Sequence, residues 1–255
     1  MDYKEYKRLY DGLVDPEDLD RFEEEGYDRR LLDTLYTQKV SRSVKKRFHV
    51  VKNNARNMLR EWHRGKSFSE LSKKYRFPPI LVMMMIFQED GLSKKQFWSI
   101  IRNPGLLESP ETAAEVREAV GRDPVYSPAA NDRQKERGEW GEGLLQGWLD
   151  EQGIEYLTED EIRNLEGSTK TPDCLLREPM MYDGKKIFWI ESKASFGDGV
   201  EFRFNSRKQL VPYTQLFGPG VVVYWTGCLK DQECPDNIYL EDMSLLDKKL
   251  VRIEQ

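Results

Sequence analysis

Histidine is almost missing from this chain: His49 and His63 are the only two among 255 residues. Zinc-hydrolase chemistry of the H-E-x-x-H kind needs two histidines one helical turn apart, and these do not supply them. A Ser-His-Asp hydrolase would depend on one of the two, and no G-x-S-x-G elbow accompanies them. Cysteine is scarce as well. Cys174, Cys228 and Cys234 are odd in number and lack C-x-x-C spacing, so they read as small core residues or free thiols of a reducing compartment. No apolar run approaches the roughly 18 residues of a membrane span. The longest covers residues 80–87, and residues 1–7 lack the apolar stretch of a secretory signal. The expectation is a cytoplasmic protein, nucleoid-associated if prokaryotic, with no membrane partner.

What is present is charge, unevenly placed. Residues 1–40 hold 7 basic and 12 acidic side chains, residues 41–104 hold 15 and 4, and residues 105–255 hold 18 and 29. An acidic protein with one strongly basic block attracts polyanions to that block, and nucleic acid is the common polyanion. At about 150 residues per domain the length allows roughly two domains.

Sparse Gly and Pro and abundant Leu, Lys, Arg, Glu and Met make the first 120 residues helical. Helices are expected at 3–13, 16–25, 29–38 and near 43–64. Ser67 with Glu70 forms a capping box, Pro78 and Pro79 end one helix and open the next, Gly91 stops that one, and Ser93 caps another. Helix, short turn, helix and a third helix form a helix-turn-helix-like segment. Its middle helix, near 80–87, is apolar all round and therefore buried. The cations sit on its neighbours: Lys73, Lys74 and Arg76 before it, Lys94 and Lys95 after it. These five are the expected DNA-binding residues, touching phosphates without reading bases. The expected division is a helical, basic region at 1–104, a Pro- and Gly-rich connector at 105–131 with one short helix near 110–120, and a second domain at 132–255.

That second domain alternates. A helix near 133–151 precedes a strand at 154–157, a short acidic helix near 158–166, and two strands at 173–178 and 186–193. Asp183-Gly184 marks the hairpin turn between those strands. A helix near 206–217 leads into a buried strand at 221–225. The order gives an α/β sandwich with a small mixed β-sheet flanked by helices.

Chemistry converges there. Asp173 stands at the start of one strand, and Glu191 and Lys193 at the end of the next. Alternate strand residues share a face, so Glu191 and Lys193 project together while Ser192 points away. Hairpin pairing brings Asp173 beside Glu191. Two adjacent carboxylates repel unless a cation lies between them, and oxygen ligands of this kind suit Mg²⁺, with Mn²⁺ as a substitute. Such an ion polarises a phosphoryl oxygen and activates water.

Thr171-Pro172-Asp173, the run from Ile190 through Glu191-Ser192-Lys193-Ala194-Ser195-Phe196-Gly197 to Asp198, and Phe217-Gly218-Pro219-Gly220 together resemble the TPD branch of the PD-(D/E)XK, or restriction-endonuclease-like, nuclease superfamily. The resemblance implies a restriction-endonuclease-like core and a Mg²⁺-dependent nuclease acting on DNA, probing structure rather than sequence, in repair, recombination or processing. Position by position it implies Asp173 and Glu191 as metal carboxylates, Lys193 as the catalytic lysine, the Ser192 main-chain carbonyl as a further ligand, and Glu142 as the carboxylate of the preceding helix. Glu139, one turn earlier, is a rival for that last role. Gln209 and Tyr213, on one face of the following helix, would orient the lysine, water or phosphate. Phe196, Gly197 and Asp198 belong to the signature without an assigned role. Arg203, Arg207 and Lys208 add either phosphate contacts or solvated surface.

Two further classes stay open: a catalytically weak DNA-binding scaffold with a nuclease fold, and an RNA-processing nuclease. Oligomeric state, a homodimer included, and any protein partner are not legible.

Overall fold

The computed structural model describes residues 1–164 and 170–253. No described helix is long and apolar enough to cross a membrane. The chain forms two compact units, one of residues 37–135 and one of residues 1–36 with 136–255. These bounds differ from the sequence-based division at both ends. The first 36 residues belong with the C-terminal unit. Segment 105–131 is not a bare connector, because Ala113, Val116, Ala119, Val125 and Ala130 are buried.

The N-terminal helices are α1 (Tyr3–Gly12), α2 (Glu17–Glu24) and α3 (Arg29–Lys52). Then come α4 (Ala55–His63), α5 (Phe68–Tyr75), α6 (Pro79–Glu89), α7 (Lys94–Arg102) and α8 (Pro110–Gly121). The expected pair 29–38 and 43–64 is thus drawn differently. Nothing between 38 and 43 breaks the helix, and the interruption falls at Asn53-Asn54, where the Asn54 amide turns back to donate to the Val50 carbonyl at 2.9 Å. Both expected capping boxes are present, Ser67 with Glu70 and Ser93 with Gln96. Pro79 opens α6, and Gly91 past its end takes a φ of +99°, a left-handed value that glycine adopts without strain.

Residues 80–87 of α6 are buried on every side, and α4, α5, α7 and α8 pack around them. This is the core of the 37–135 unit, where Phe68, Phe87, Phe97 and Trp62 form an aromatic cluster. Asp123, almost wholly buried, accepts main-chain N–H groups of Ile80, Val125 and Tyr126 and so ties the start of α6 to the turn after α8.

On the surface of this unit Glu61 sits between Lys66 at 2.6 Å and Lys74 at 2.5 Å. Hydrogen bonds from Lys66 and then Lys74 hold its carboxyl down to about 2 against an ordinary 4.5. A carboxyl whose folded value lies below its unfolded one stabilises at higher pH and loses that contribution as pH falls through the folded value. Glu61→Gln is therefore expected to flatten the acid-unfolding curve between about 4.5 and about 2, measured by circular dichroism against pH. An unchanged curve would show that the two ion pairs contribute nothing.

The other unit is built on a mixed sheet. Helix α9 (Pro128–Glu151) leads to β1 (Tyr156–Thr158), α10 (Glu159–Arg163), β2 (Cys174–Tyr182) and β3 (Lys185–Lys193). Next come α11 (Gly199–Asn205), a π-helical turn at Ser206–Leu210, α12 (Val211–Phe217), β4 (Gly220–Tyr224), β5 (Ile238–Glu241) and β6 (Val251–Arg252). The described strands are ordered β1-β2-β3-β4-β5, with β6 against β2. β1, β2 and β3 run antiparallel, while β4 is parallel to β3 and β5 parallel to β4. The β2–β3 turn has positive φ at both Asp183 and Gly184, the I′ geometry expected of that pair. β5 and β6 carry no strong sequence signal, and the helix expected at 206–217 begins seven residues earlier, at Gly199. The expected end of the acidic helix, beyond residue 164, lies outside the described residues.

Strand alternation sorts the core into two faces. Leu145, Trp148 and Leu149 of α9 pack on Cys174, Leu176, Ile190, Val221 and Val223. Phe202, Leu210 and Tyr213 pack on Trp189, Val222 and Tyr224 from the other side. The sheet is covered on both faces, which is why β4 reads as an unbroken apolar run.

Candidate active site

The β2–β3 pairing fixes the carboxylates. Cys174 lies opposite Ile190, so Asp173 falls opposite Glu191. Two main-chain hydrogen bonds lock them: the Asp173 N–H donates to Glu191 Oε2 at 3.2 Å, and the Ser192 N–H donates to Asp173 Oδ2 at 2.7 Å. Lys193 Nζ donates to Glu191 Oε1 on the same face. Glu191 is only 2 % exposed. Burial is the main influence on both carboxyls and raises their pKa values; for each, the Lys193 ammonium is the largest opposing effect. Adjacent desolvated carboxylates with one ammonium between them form a site short of positive charge.

Ser192 points to the opposite face, where its Oγ accepts from Trp225 Nε1 at 2.7 Å. Helix α9 comes close here because residue 141 is glycine: a Cβ at that position would lie 2.5 Å from Trp225 Cδ1 and 3.1 Å from Ser192 Oγ. The next residue, Glu142, is near enough to feel the charges of Asp173 and Lys193. Its carboxyl is pushed up by burial and then by the Asp173 charge, and is drawn down by Lys193. Glu139, one turn earlier on α9, adds to that rise through its charge.

Tyr213 of α12 contacts the segment that leads into Asp173. Its phenol donates to the Thr171 carbonyl at 2.8 Å, so it braces the turn that carries Asp173. Gln209 lies within hydrogen-bond reach of that phenol. Sequence reasoning missed Glu159, whose Oε1 accepts from Thr171 Oγ1 at 2.9 Å and whose charge is felt by Asp173 and Glu142. The signal lay in Thr158-x-x-Glu161, a capping box that starts a helix directly after β1 and crowds acidic groups into its first turn.

The signature residues without a role acquire one. Asp198 caps α11 through the N–H groups of Val200 and Glu201, and its other oxygen accepts from the Tyr6 hydroxyl at 2.7 Å. Phe196 stacks on Tyr6 with ring centroids 5.5 Å apart. A Cβ at Gly197 would lie 2.8 Å from Cys228 Cβ and from the Tyr224 ring. This block therefore fastens the end of β3 to α1 and α11. Cys174 and Cys228 are buried free thiols, and Cys234 is exposed.

Among the described residues no three His, Cys, Asp or Glu side chains form a metal-binding group. The oxygen donors of Asp173 and Glu191 nevertheless fit Mg²⁺, which is held by one or two carboxylates and completes its shell with water and phosphate oxygens. The five expected DNA-binding residues belong to the 37–135 unit and are all exposed. Lys73 and Lys74 lie in the last turn of α5, with Lys74 paired to Glu61. Arg76, at a left-handed φ of 46°, follows that helix, and Lys94 and Lys95 open α7.

Residues 108–244 match a family described as "Protein of unknown function TPD sequence-motif". Curated relatives are named CDAN1-interacting nuclease 1. The Xenopus laevis protein is 35 % identical over 172 residues, which cover 65 % of this chain and 56 % of that protein. The Homo sapiens protein is 32 % identical over 192 residues, 72 % of this chain and 65 % of that protein. The Bos taurus protein is 33 % identical over 172 residues, 65 % of this chain and 61 % of that protein. The chain thus spans between about half and two thirds of the length of these relatives. No solved structure matches. The matched segment carries Asp173, Glu191, Lys193 and the helix carboxylate Glu142, and this chain belongs to the TPD family.

Proposed function

We propose that this protein is a Mg²⁺-dependent nuclease of the PD-(D/E)XK type that hydrolyses phosphodiester bonds of DNA. The observation that carries the reading is the main-chain lock placing half-buried Asp173 beside buried Glu191, with Lys193 against them. The relatives named as nucleases support it. So does the strand order: an antiparallel β1-β2-β3 meander followed by parallel β4 resembles a restriction-endonuclease-like core.

In this reading Asp173, Glu191, the Ser192 carbonyl and Glu142 hold the ion. When bound, the ion supplies positive charge and Lewis acidity at the scissile phosphate. Lys193 donates a hydrogen bond to the attacking water or to a non-bridging phosphate oxygen and so fixes its approach. Tyr213 and Gln209 act as positioning residues, holding the Thr171 carbonyl and with it the Asp173 turn. The basic 37–135 unit supplies affinity for the phosphate backbone, with Lys73, Arg76, Lys94 and Lys95 as the exposed cations, and its contribution falls as salt rises.

The test is a cleavage assay on end-labelled duplex, single-stranded, flapped and four-way DNA, with RNA of equal length beside them. It runs with Mg²⁺, Mn²⁺ or EDTA and includes an Asp173→Ala, Lys193→Ala double variant. Cutting is expected with either metal and not with EDTA or in the variant. Tight DNA binding without cutting would favour the scaffold reading, and preferential cutting of RNA would favour the RNA nuclease.

A further inference from the structure

A second concave site in the same unit has none of those carboxylates in its lining. Helix α11, the π-helical turn after it and the segment before β5 line an open pocket of about 350 Å³. Its apolar wall is Phe202, Val211 and Pro235, and its polar groups are Arg203, Arg207, Ser206 and Glu233. That volume is in the range of small-molecule sites.

Of the polar groups Ser206 is buried, while Arg203, Arg207 and Glu233 are exposed. Arg203 of α11 and Arg207 of the π-helical turn both line the pocket. Ser206 is 6 % exposed, and its buried hydroxyl has no hydrogen-bond partner. Gln232, next to Glu233, has a buried amide oxygen in the same condition. Folded proteins rarely leave such groups unpaired, and those that remain deserve a functional account. The π-helical turn is itself a geometry concentrated at functional sites.

Two guanidiniums and a hydroxyl form a receptor for a phosphate group. An apolar wall suits a flat ring, and a carboxylate facing it suits ring N–H donors. Phosphate, ring and N–H edge occur together in a nucleotide. We propose that this pocket binds a nucleoside monophosphate unit. Its phosphate lies on Arg203, Arg207 and Ser206, its base lies against Phe202, Val211 and Pro235, and its N–H edge meets Glu233. The proposal does not depend on DNA cleavage at Asp173 and Glu191.

The test is calorimetric titration of the full chain in EDTA, which keeps metal out of the carboxylate site. The ligands are deoxyguanosine monophosphate, thymidine monophosphate, deoxyguanosine, inorganic phosphate, and an oligonucleotide with or without a 5′-phosphate. Deoxyguanosine monophosphate is chosen because two of its N–H groups can meet one carboxylate. It is expected to bind about tenfold or more tightly than either deoxyguanosine or phosphate alone. An Arg203→Ala, Arg207→Ala variant is expected to lose about tenfold or more of that affinity. Both side chains are exposed, so the fold tolerates the change. Glu233→Gln is expected to narrow the preference over thymidine monophosphate. Competition by the 5′-phosphorylated oligonucleotide alone would identify a strand end as the source of the nucleotide, and its absence a free nucleotide. No saturation of the wild type at millimolar ligand, equal binding of phosphate and nucleotide, or unchanged binding by the double arginine variant would overturn the proposal.

Discussion

Asp173→Asn is expected to slow metal-dependent cleavage by about 10³-fold or more while leaving the metal-free protein at least as stable as the wild type. The amide keeps an oxygen to accept the Ser192 N–H, now held at 2.7 Å, so the β2–β3 lock survives. What it loses is one of two negative charges in a desolvated place. Without a cation those charges repel, and Lys193 offsets them only in part. Relief of that repulsion is expected to contribute about 1 kcal/mol, or roughly 2–4 °C in melting temperature for a chain of this size. The measurement is thermal unfolding in EDTA and in Mg²⁺, beside the cleavage rate. Added Mg²⁺ should raise the melting temperature of the wild type and not that of the variant, because only a ligand that binds the folded state stabilises it. A variant that still cuts DNA at the wild-type rate would remove Asp173 from the mechanism. A variant less stable in EDTA would show that Asp173 serves the fold rather than the ion.

The second large effect is on stability. Gly220 pairs with Trp189 across the β3–β4 ladder, and the indole lies directly over it. A Cβ on residue 220 would stand 2.1 Å from Trp189 Cδ2 and 2.2 Å from Cε2. Trp189 cannot swing aside, since it is fully buried and its Nε1 donates to the Gly218 carbonyl at 2.8 Å. Gly220→Ala is therefore expected to destabilise the protein by about 3 kcal/mol, read from urea unfolding. Trp189→Leu in the same chain should recover part of the loss, because the two changes share one space and do not add. Full additivity would place the strain elsewhere. Trp189 is two residues from Glu191, so the alanine variant should also lower the cleavage rate.

Several elements were legible because their signals are local. The capping boxes at Ser67 and Ser93, the Pro79 start, the Gly91 stop and the Asp183-Gly184 turn each rest on a few neighbouring residues, and each is present. The burial of residues 80–87 followed from an apolar run too complete for a surface helix. Other features escaped for an equally physical reason. α11 starts at Gly199 because the Asp198 side chain caps it, and Asp198 is in turn held by Tyr6, 192 residues away. The short strands β5 and β6 exist because neighbours offer them hydrogen-bonding edges. The break in α3 fell at Asn53-Asn54 rather than near residue 40, where propensity alone separates the alternatives by tenths of a kcal/mol (about 0.7 at most).

The residues alone set the chemistry available: which carboxylates and which lysine stand at strand ends, how the basic block is set apart from acidic flanks, and that the H-E-x-x-H pair and the G-x-S-x-G elbow are missing. Strand alternation alone put Glu191 and Lys193 on one face and Ser192 on the other, since that geometry is fixed by the backbone. Which distant groups meet them was set by the packing. It set Asp173 opposite Glu191 through ladder register, brought Glu142 in through the close approach at Gly141, and turned Tyr213 onto the Thr171 carbonyl. It also left the buried Ser206 hydroxyl without a partner beside a pocket that Arg203 and Arg207 line. Register, close approach and unsatisfied groups arise from packing between segments far apart in the chain, and no local pattern of residues encodes them.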